Sequence, residues 1–287
     1  MSTYGKDEAS RGTERVGVAA SDVIARETYR HLRLMLIALM ALLLVAVIMV
    51  AIADSVQGSI SAYYLGPIRD VFVATLVGIA VCLVVYRGSS AIEDYALNLA
   101  GFFAFFVAFV PTDLAETLAT LGPEERAEAL TAVRISTASV ILVSALFIFA
   151  ESRTDHFRFP GLLKGRRTKW IVGITYLLLA AFFVLIVVTG FFNDSFQWVH
   201  LSAAILLFVG MALAVASHNW LAEPEVIARD GRRYRFLVVL MGAGVLIAVA
   251  LWQWPYVVFA LEAYEVACFA TFWIMEAIRT WRPPIGR

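Results

Sequence analysis

Eight long apolar runs dominate this chain and leave it little freedom of fold. They cover approximately residues 34–53, 70–86, 96–112, 134–151, 170–191, 198–217, 236–254 and 257–278. Each approaches the roughly 20 apolar residues that carry a helix across a lipid bilayer. Inside a bilayer every backbone polar group must be satisfied by the protein itself, so only helices or a closed barrel can span it. The runs do not alternate in units of about 10 residues as barrel strands do. The expected fold is therefore all-α, a polytopic bundle of eight transmembrane helices. Of the 287 residues 61% are hydrophobic and 16% charged, against about 25% charged in a soluble domain, so no sizeable soluble domain remains. The expected organisation is a polar, largely disordered cytoplasmic tail over 1–30, one transmembrane domain over 31–282, and a short cytoplasmic tail over 283–287.

Basic residues are retained on the cytoplasmic side of a membrane. With the N-terminus placed inside, all but three of the 23 lysines and arginines fall in cytoplasmic segments, the exceptions being Arg69, Arg126 and Arg134. An odd number of spans would break that alternation. Both termini are thus expected in the cytoplasm, with the chain in the plasma (inner) membrane as a multi-pass protein. Ala51-Ile52-Ala53 ahead of Asp54 resembles a signal-peptidase site. The apolar run before it exceeds the roughly 7–15 residues of a signal peptide, so an uncleaved first helix is expected.

The largest outer connection, 113–133, holds Gly122-Pro123-Glu124-Glu125, a helix start with proline early and acids in the first turn. Two short helices at the outer surface are expected there, the second feeding the fourth span. Comparing Arg134 onward with His200 onward at a constant offset of 66 aligns Ser136 with Ser202, Ala138 with Ala204, and Gly165-Arg166-Arg167 with Gly231-Arg232-Arg233. A parallel two-helix repeat over about 134–191 and 200–254 is the expectation from this match.

Ionisable residues at membrane depth are rare and usually functional. By the topology above they gather at the outer face. Arg69 and Asp70 open the second span, Asp113 follows the third, Arg134 opens the fourth and His200 the sixth, and Glu262 and Glu265 share one face of the eighth. The preceding loop adds Ser59, Ser61, Tyr63 and Tyr64. An outward-facing polar vestibule built from Ser59, Ser61, Tyr64, Arg69, Asp70, Arg134, His200, Glu262 and Glu265 is the candidate ligand-binding site. A structural reading competes with it, in which Arg69 or Arg134 pairs with Asp70 or Glu262. His200, Asp70 and Glu265 are weak candidates for a metal, since zinc takes three or four ligands and only one histidine lies on that side. A Ser-His-acid set from Ser59 or Ser61, His200 and Asp70 can be drawn, without the strand-turn-helix context of a nucleophile elbow. No Walker loop or glycine-rich dinucleotide motif occurs, so no cofactor is expected. Zero net charge gives no footprint for nucleic acid. Cys82 and Cys268 read as buried small apolar residues. Gly242, Gly244, Asn98 and Gly101 read as positions of close helix packing. Trp170, Trp198, Trp220, Trp252, Trp254, Tyr256 and Trp281 read as an interfacial belt, with Trp273 deeper.

Ser59-Ile60-Ser61-Ala62-Tyr63-Tyr64 followed by Arg69-Asp70-Val71-Phe72-Val73 resembles the opening of an uncharacterised family of bacterial polytopic membrane proteins. Tyr86-Arg87-Gly88, Asn98-Leu99-Ala100-Gly101, Pro111-Thr112, His200 to Ala204 and the segment from Glu262 to Trp273 extend the resemblance over most of the chain. It implies the same topology, with spans four and five as an insertion, and names no activity. A distant likeness to ceramidase and adiponectin-receptor type membrane hydrolases rests on Ser, Asp and His at helix ends. The chain lacks their paired histidines in one late helix. The function expected is binding, sensing or moving a small molecule or lipid through the vestibule, without catalysis. The alternatives are a membrane-embedded hydrolase acting on a lipid or amide at the outer leaflet, and a scaffold subunit of a larger membrane complex. Beyond the bilayer and such a ligand, the sequence points to no particular protein partner.

Overall fold

A computed structural model describes residues 4–112, 114–154, 159–163, 165–219 and 224–281. Ten α-helices follow one another: α1 (Tyr4–Ala53), α2 (Arg69–Val85), α3 (Ala91–Phe109), α4 (Leu114–Thr120), α5 (Pro123–Ser152), α6 (Phe159–Leu162), α7 (Arg166–Leu185), α8 (Gln197–Ser217), α9 (Pro224–Ala250) and α10 (Val257–Trp281). A 3-10 turn (Ser61–Leu65) precedes α2, and a π-helical segment (Ile186–Phe192) extends α7. Among the described residues there is no strand. Seven helices among the described residues are long and apolar enough to cross a bilayer. The eighth, α2, is apolar throughout but 17 residues long, about 26 Å at 1.5 Å per residue. The all-helical expectation is met, and each apolar run is a helix.

Local chemistry sets the helix ends. The Ser90 hydroxyl accepts the Glu93 N–H at 3.2 Å and caps α3, which starts five residues before its apolar run. The Glu125 carboxylate accepts the Gly122 N–H at 3.1 Å, and Pro123 begins α5 as the sequence indicated. The expected second surface helix is not separate, because α5 runs without a break from that proline to Ser152. α9 starts at Pro224, so Arg232, Arg233 and Arg235 lie in its helix rather than in a loop, and it ends ahead of Pro255. α1 extends past the apolar run toward the N-terminus as far as Tyr4. The expected disordered tail falls on that stretch, where no side chain before Val23 is described.

The bundle is centred on α3, which packs between α2 and α8; α1 and α10 close the other side, and α9 lies against α10. Small residues permit this. A Cβ at Gly101 would lie 2.9 Å from the Ala80 carbonyl oxygen and 2.7 Å from Val84. A Cβ at Gly210 would lie 3.1 Å from both the backbone nitrogen and the Cβ of Ala100. Helices in lipid lack a strong hydrophobic drive to associate, so close contact between backbones carries more of the stability. Gly244 likewise accommodates the Tyr264 ring. Gly242 does not pack: a Cβ placed there would have nothing within 4 Å, which corrects the sequence expectation for that glycine.

α5 and α7 stand at the periphery, α5 on α3 and α7 on α8. Their outer faces are apolar, with Leu142, Leu146, Phe149, Leu177 and Val184 exposed. Such a surface is an aggregation liability in water and an ordinary one in hydrocarbon. Trp170, Trp198, Trp252 and Trp254 are exposed near helix ends, whereas Trp273 is fully buried; Trp220 lies outside the described residues, as do Asp113 and His156. Both cysteines are buried and free. The register match between the two Gly-Arg-Arg triplets is not a structural one. Gly165 is the N-cap of α7 with extended backbone, while Gly231 is buried inside the continuous helix α9. The internal repeat loses the feature that best supported it.

Candidate functional site

The sequence-predicted residues fall into separate groups rather than one vestibule. Glu262, in the second turn of α10, accepts the Ile60 N–H at 2.5 Å and the Ser61 hydroxyl at 3.3 Å. Together with the Phe259 N–H, which donates to the Gly58 carbonyl at 2.9 Å, this fastens the segment after α1 onto α10. The Ser59 hydroxyl accepts the Ala62 N–H at 3.0 Å and shapes the 3-10 turn. Arg69 donates to the Tyr64 hydroxyl at 3.2 Å, with its guanidinium 5.0 Å from the ring centre. Asp70 is exposed.

The other candidates point elsewhere. Arg134 pairs with Asp194 at 2.5 Å and donates to the Phe191 carbonyl at 3.3 Å, tying α5 to the end of the π-helical segment. Asp194 is the one described non-glycine residue with a positive φ, 53°, and this turn presents its carboxylate to Arg134. His200 is buried, and its Nδ1–H donates to the Val110 carbonyl that the end of α3 leaves free. Glu265 is buried, three residues beyond Glu262, and both its carboxylate oxygens lack a hydrogen-bond partner. Asp70, His200 and Glu265 do not form a metal-ligating group. Of the predicted set, Ser59, Ser61 and Glu262 come together, Tyr64 and Arg69 form a second pair, and Asp70, Arg134, His200 and Glu265 stand apart.

Ser61 and Glu262 border a cavity that the sequence did not reveal. It lies between α1, α2, α3, α8 and α10 and is partly open to solvent. Leu43, Phe72, Leu76, Met211, Phe269 and Trp273 are among its walls, and Ser61 and Glu262 are its polar lining residues. Along α10 the lining residues are Glu262, Val266, Phe269 and Trp273, a single face of one helix. The cavity is therefore long, apolar along its walls and polar at one end.

A second polar cluster occupies the opposite end of the same bundle. Glu93, in the first turn of α3, is fully buried; its Oε2 accepts the Ser89 N–H at 2.7 Å and the Ser89 hydroxyl at 2.8 Å. The helix dipole favours an anion at that position. His218, at the end of α8, places Nε2 3.0 Å from Glu93 Oε1 and Nδ1 4.0 Å from Glu276 Oε1. Its ring stacks on Tyr234 at 4.5 Å and meets the edge of Phe272 at 5.6 Å. Glu276 accepts the Tyr234 hydroxyl and is gripped by Arg279 at 3.1 and 2.6 Å. Beside this cluster Arg33 donates twice to the Tyr86 hydroxyl, at 3.1 and 3.0 Å. Sequence reading gave Glu93, His218 and Glu276 no role. The Ser90-x-x-Glu93 pattern is a capping-box signature that could have indicated the helix start, but not the partner that Glu93 finds 125 positions later.

Neither the known protein families, nor the curated proteins, nor the solved structures contain a match to this chain.

Proposed function

We propose that this chain is a multi-pass protein of the plasma (inner) membrane that binds an apolar-chained small molecule or lipid in the cavity between α1, α2, α3, α8 and α10. The observation that carries the proposal is the shape and chemistry of that cavity: long, walled by apolar side chains, with Ser61 and Glu262 at one end. Pockets for small molecules are mostly apolar, with a few placed polar groups. The polar end suits a head carrying a hydroxyl or an amine, which can donate to the Glu262 carboxylate.

In this reading eight helices span the membrane and both termini are cytoplasmic. The support is the charge distribution: the ends of α5, α7 and α9 that adjoin the His218 end carry the arginine-rich segments 153–167 and 229–235. The Ser61 end then faces outward, and the ligand enters from the outer leaflet. Binding, with sensing or movement of the ligand, is preferred over catalysis. Among the described residues Ser61 supplies the one hydroxyl that lines the cavity, and it donates to Glu262 with no histidine in the lining; His200 is engaged with Val110.

The test is lipid analysis of the purified chain. Protein extracted in mild detergent should retain a single-chain or comparable lipid detectable by native mass spectrometry. Ala204→Trp, which places a large ring in the cavity, should abolish it while the protein stays monodisperse. Equal retention by both proteins would remove the cavity as the binding site.

A further inference from the structure

We propose that Glu93, His218 and Glu276 form a binding site for one divalent first-row transition-metal ion, separate from the apolar cavity. The three residues come from the start of α3, the end of α8 and the last turns of α10, and all three side chains are buried. One ligating atom from each lies within 4.8 Å of the others. A tetrahedral ion with bonds of about 2.0–2.2 Å holds its ligand atoms about 3.3–3.6 Å apart. The observed spacing closes on an ion with side-chain movements of about an ångström.

The aim of the atoms argues further. His218 Nε2 and Glu93 Oε1 are 3.0 Å apart, a buried ion-pair contact, and neither atom has a partner beyond the other. With His218 neutral, the imidazole nitrogen can turn its lone pair, like the carboxylate oxygen, toward a common cation. A buried polar atom left unsatisfied is costly, and a bound cation would satisfy both.

The surroundings are those of a held ligand set. Ser89 fixes the far oxygen of Glu93, Tyr234 and Arg279 fix Glu276, and the Tyr234 ring sets the plane of His218. Partners of this kind orient metal ligands and raise affinity. One imidazole nitrogen with two carboxylates suits zinc, manganese or iron(II); it lacks the thiolates that select copper(I) and has fewer oxygens than calcium takes. Three protein ligands leave a position for water or a small anion.

The experiment uses the full-length chain in detergent with any affinity tag removed. After chelator treatment, the protein is reloaded with zinc, manganese or cobalt(II), desalted, and analysed for metal content. The expected result is one ion per chain and a visible cobalt absorption. Glu93→Gln and His218→Gln, both close in shape to the native side chains, should weaken binding at least tenfold. His218→Cys should restore cobalt binding with a new thiolate-to-cobalt band. If the variants fail to fold, X-ray absorption at the zinc edge of the wild-type protein decides: a mixed nitrogen and oxygen shell with one imidazole supports the site. No stoichiometric ion in the wild type, unchanged binding in folded variants, or a shell without imidazole overturns it.

Discussion

The apolar cavity makes a quantitative prediction about chain length. From Glu262 to Trp273 α10 advances eleven residues, about 16 Å at 1.5 Å per residue. An all-trans chain advances about 1.2 Å per bond, a third of the 3.3–3.6 Å spanned by an extended residue. A chain of about 13 carbons with its head at Glu262 therefore reaches the Trp273 ring. Each buried methylene contributes about 0.8 kcal/mol relative to water, so Kd should tighten about fourfold per carbon up to that length. Beyond it the extra methylenes find no wall, and the series should level off. The assay is tryptophan fluorescence with a series of amphiphiles brominated at the chain end, used below their micelle concentrations. Quenching should be strongest near 13 carbons and should fall sharply in Trp273→Phe. Partition into surrounding lipid would give the same slope, so the plateau is the diagnostic feature. Affinity that rises without limit, or quenching that Trp273→Phe leaves unchanged, would refute the reasoning.

Other expectations follow from specific contacts. Gly101→Ala forces a methyl to 2.9 Å from the Ala80 carbonyl oxygen, a backbone atom that cannot turn away, and should cost about 1–3 kcal/mol; Gly242→Ala, with open space around it, should be neutral or stabilising by up to about 1 kcal/mol. Thermal unfolding in one detergent checks both, and equal effects would contradict the packing argument. Glu265→Gln removes a buried carboxylate with no hydrogen-bond partner and should raise the unfolding temperature; a marked loss would mean that the carboxylate has a stabilising role. Arg134→Ala breaks a half-exposed ion pair and should cost no more than about 1 kcal/mol, with amphiphile binding unchanged. For orientation, Ser55→Cys and Glu124→Cys should react with an impermeant thiol reagent on intact cells and Ser152→Cys only after permeabilisation; the native Cys82 and Cys268 are buried and give little background. The reverse labelling pattern would invert the topology.

Much of the architecture was legible because membrane helices are written in one dimension. Length and apolarity locate the eight long apolar helices, and Gly122-Pro123 with Glu125 marks the start of α5. The site was less legible because polar partners are three-dimensional. Glu262 and Glu265 are neighbours on one helix, but a three-residue step turns them about 60° apart. That rotation is enough to send Glu262 to the Ile60 amide and Glu265 toward α9 at Gly244. Arg134 looked like a partner for Asp70 or Glu262, yet it found Asp194 in a turn whose left-handed backbone no hydropathy pattern indicates.

Glu276 shows most clearly what pattern reading passes over. It lies within the last apolar run, an ionisable residue where such residues are rare, but Arg279 three positions on makes it look like a local surface pair. Its spacing from Glu262 carries more information. Glu262, Val266, Phe269, Trp273 and Glu276 follow at steps of four, three, four and three, which is a single stripe along one helix face. The stripe is acid at both ends and apolar between, and the two acids are about 21 Å apart along the axis. At the Ser61 end the acid meets a backbone amide and a hydroxyl beside the cavity; at the other it meets His218, Tyr234 and Arg279. Trp273 sits between the cavity and the His218 cluster, with its ring 5.0 Å from Phe272, which in turn touches His218. One aromatic layer thus separates the end of an apolar chain from the histidine. A ligand long enough to press on Trp273 would bear on the packing that orients His218, whereas a shorter one would not. The same carbon number that ends the affinity series should therefore also be the first to alter cobalt absorption at the Glu93–His218–Glu276 site. A cobalt spectrum indifferent to chain length would show that the two ends of α10 act independently.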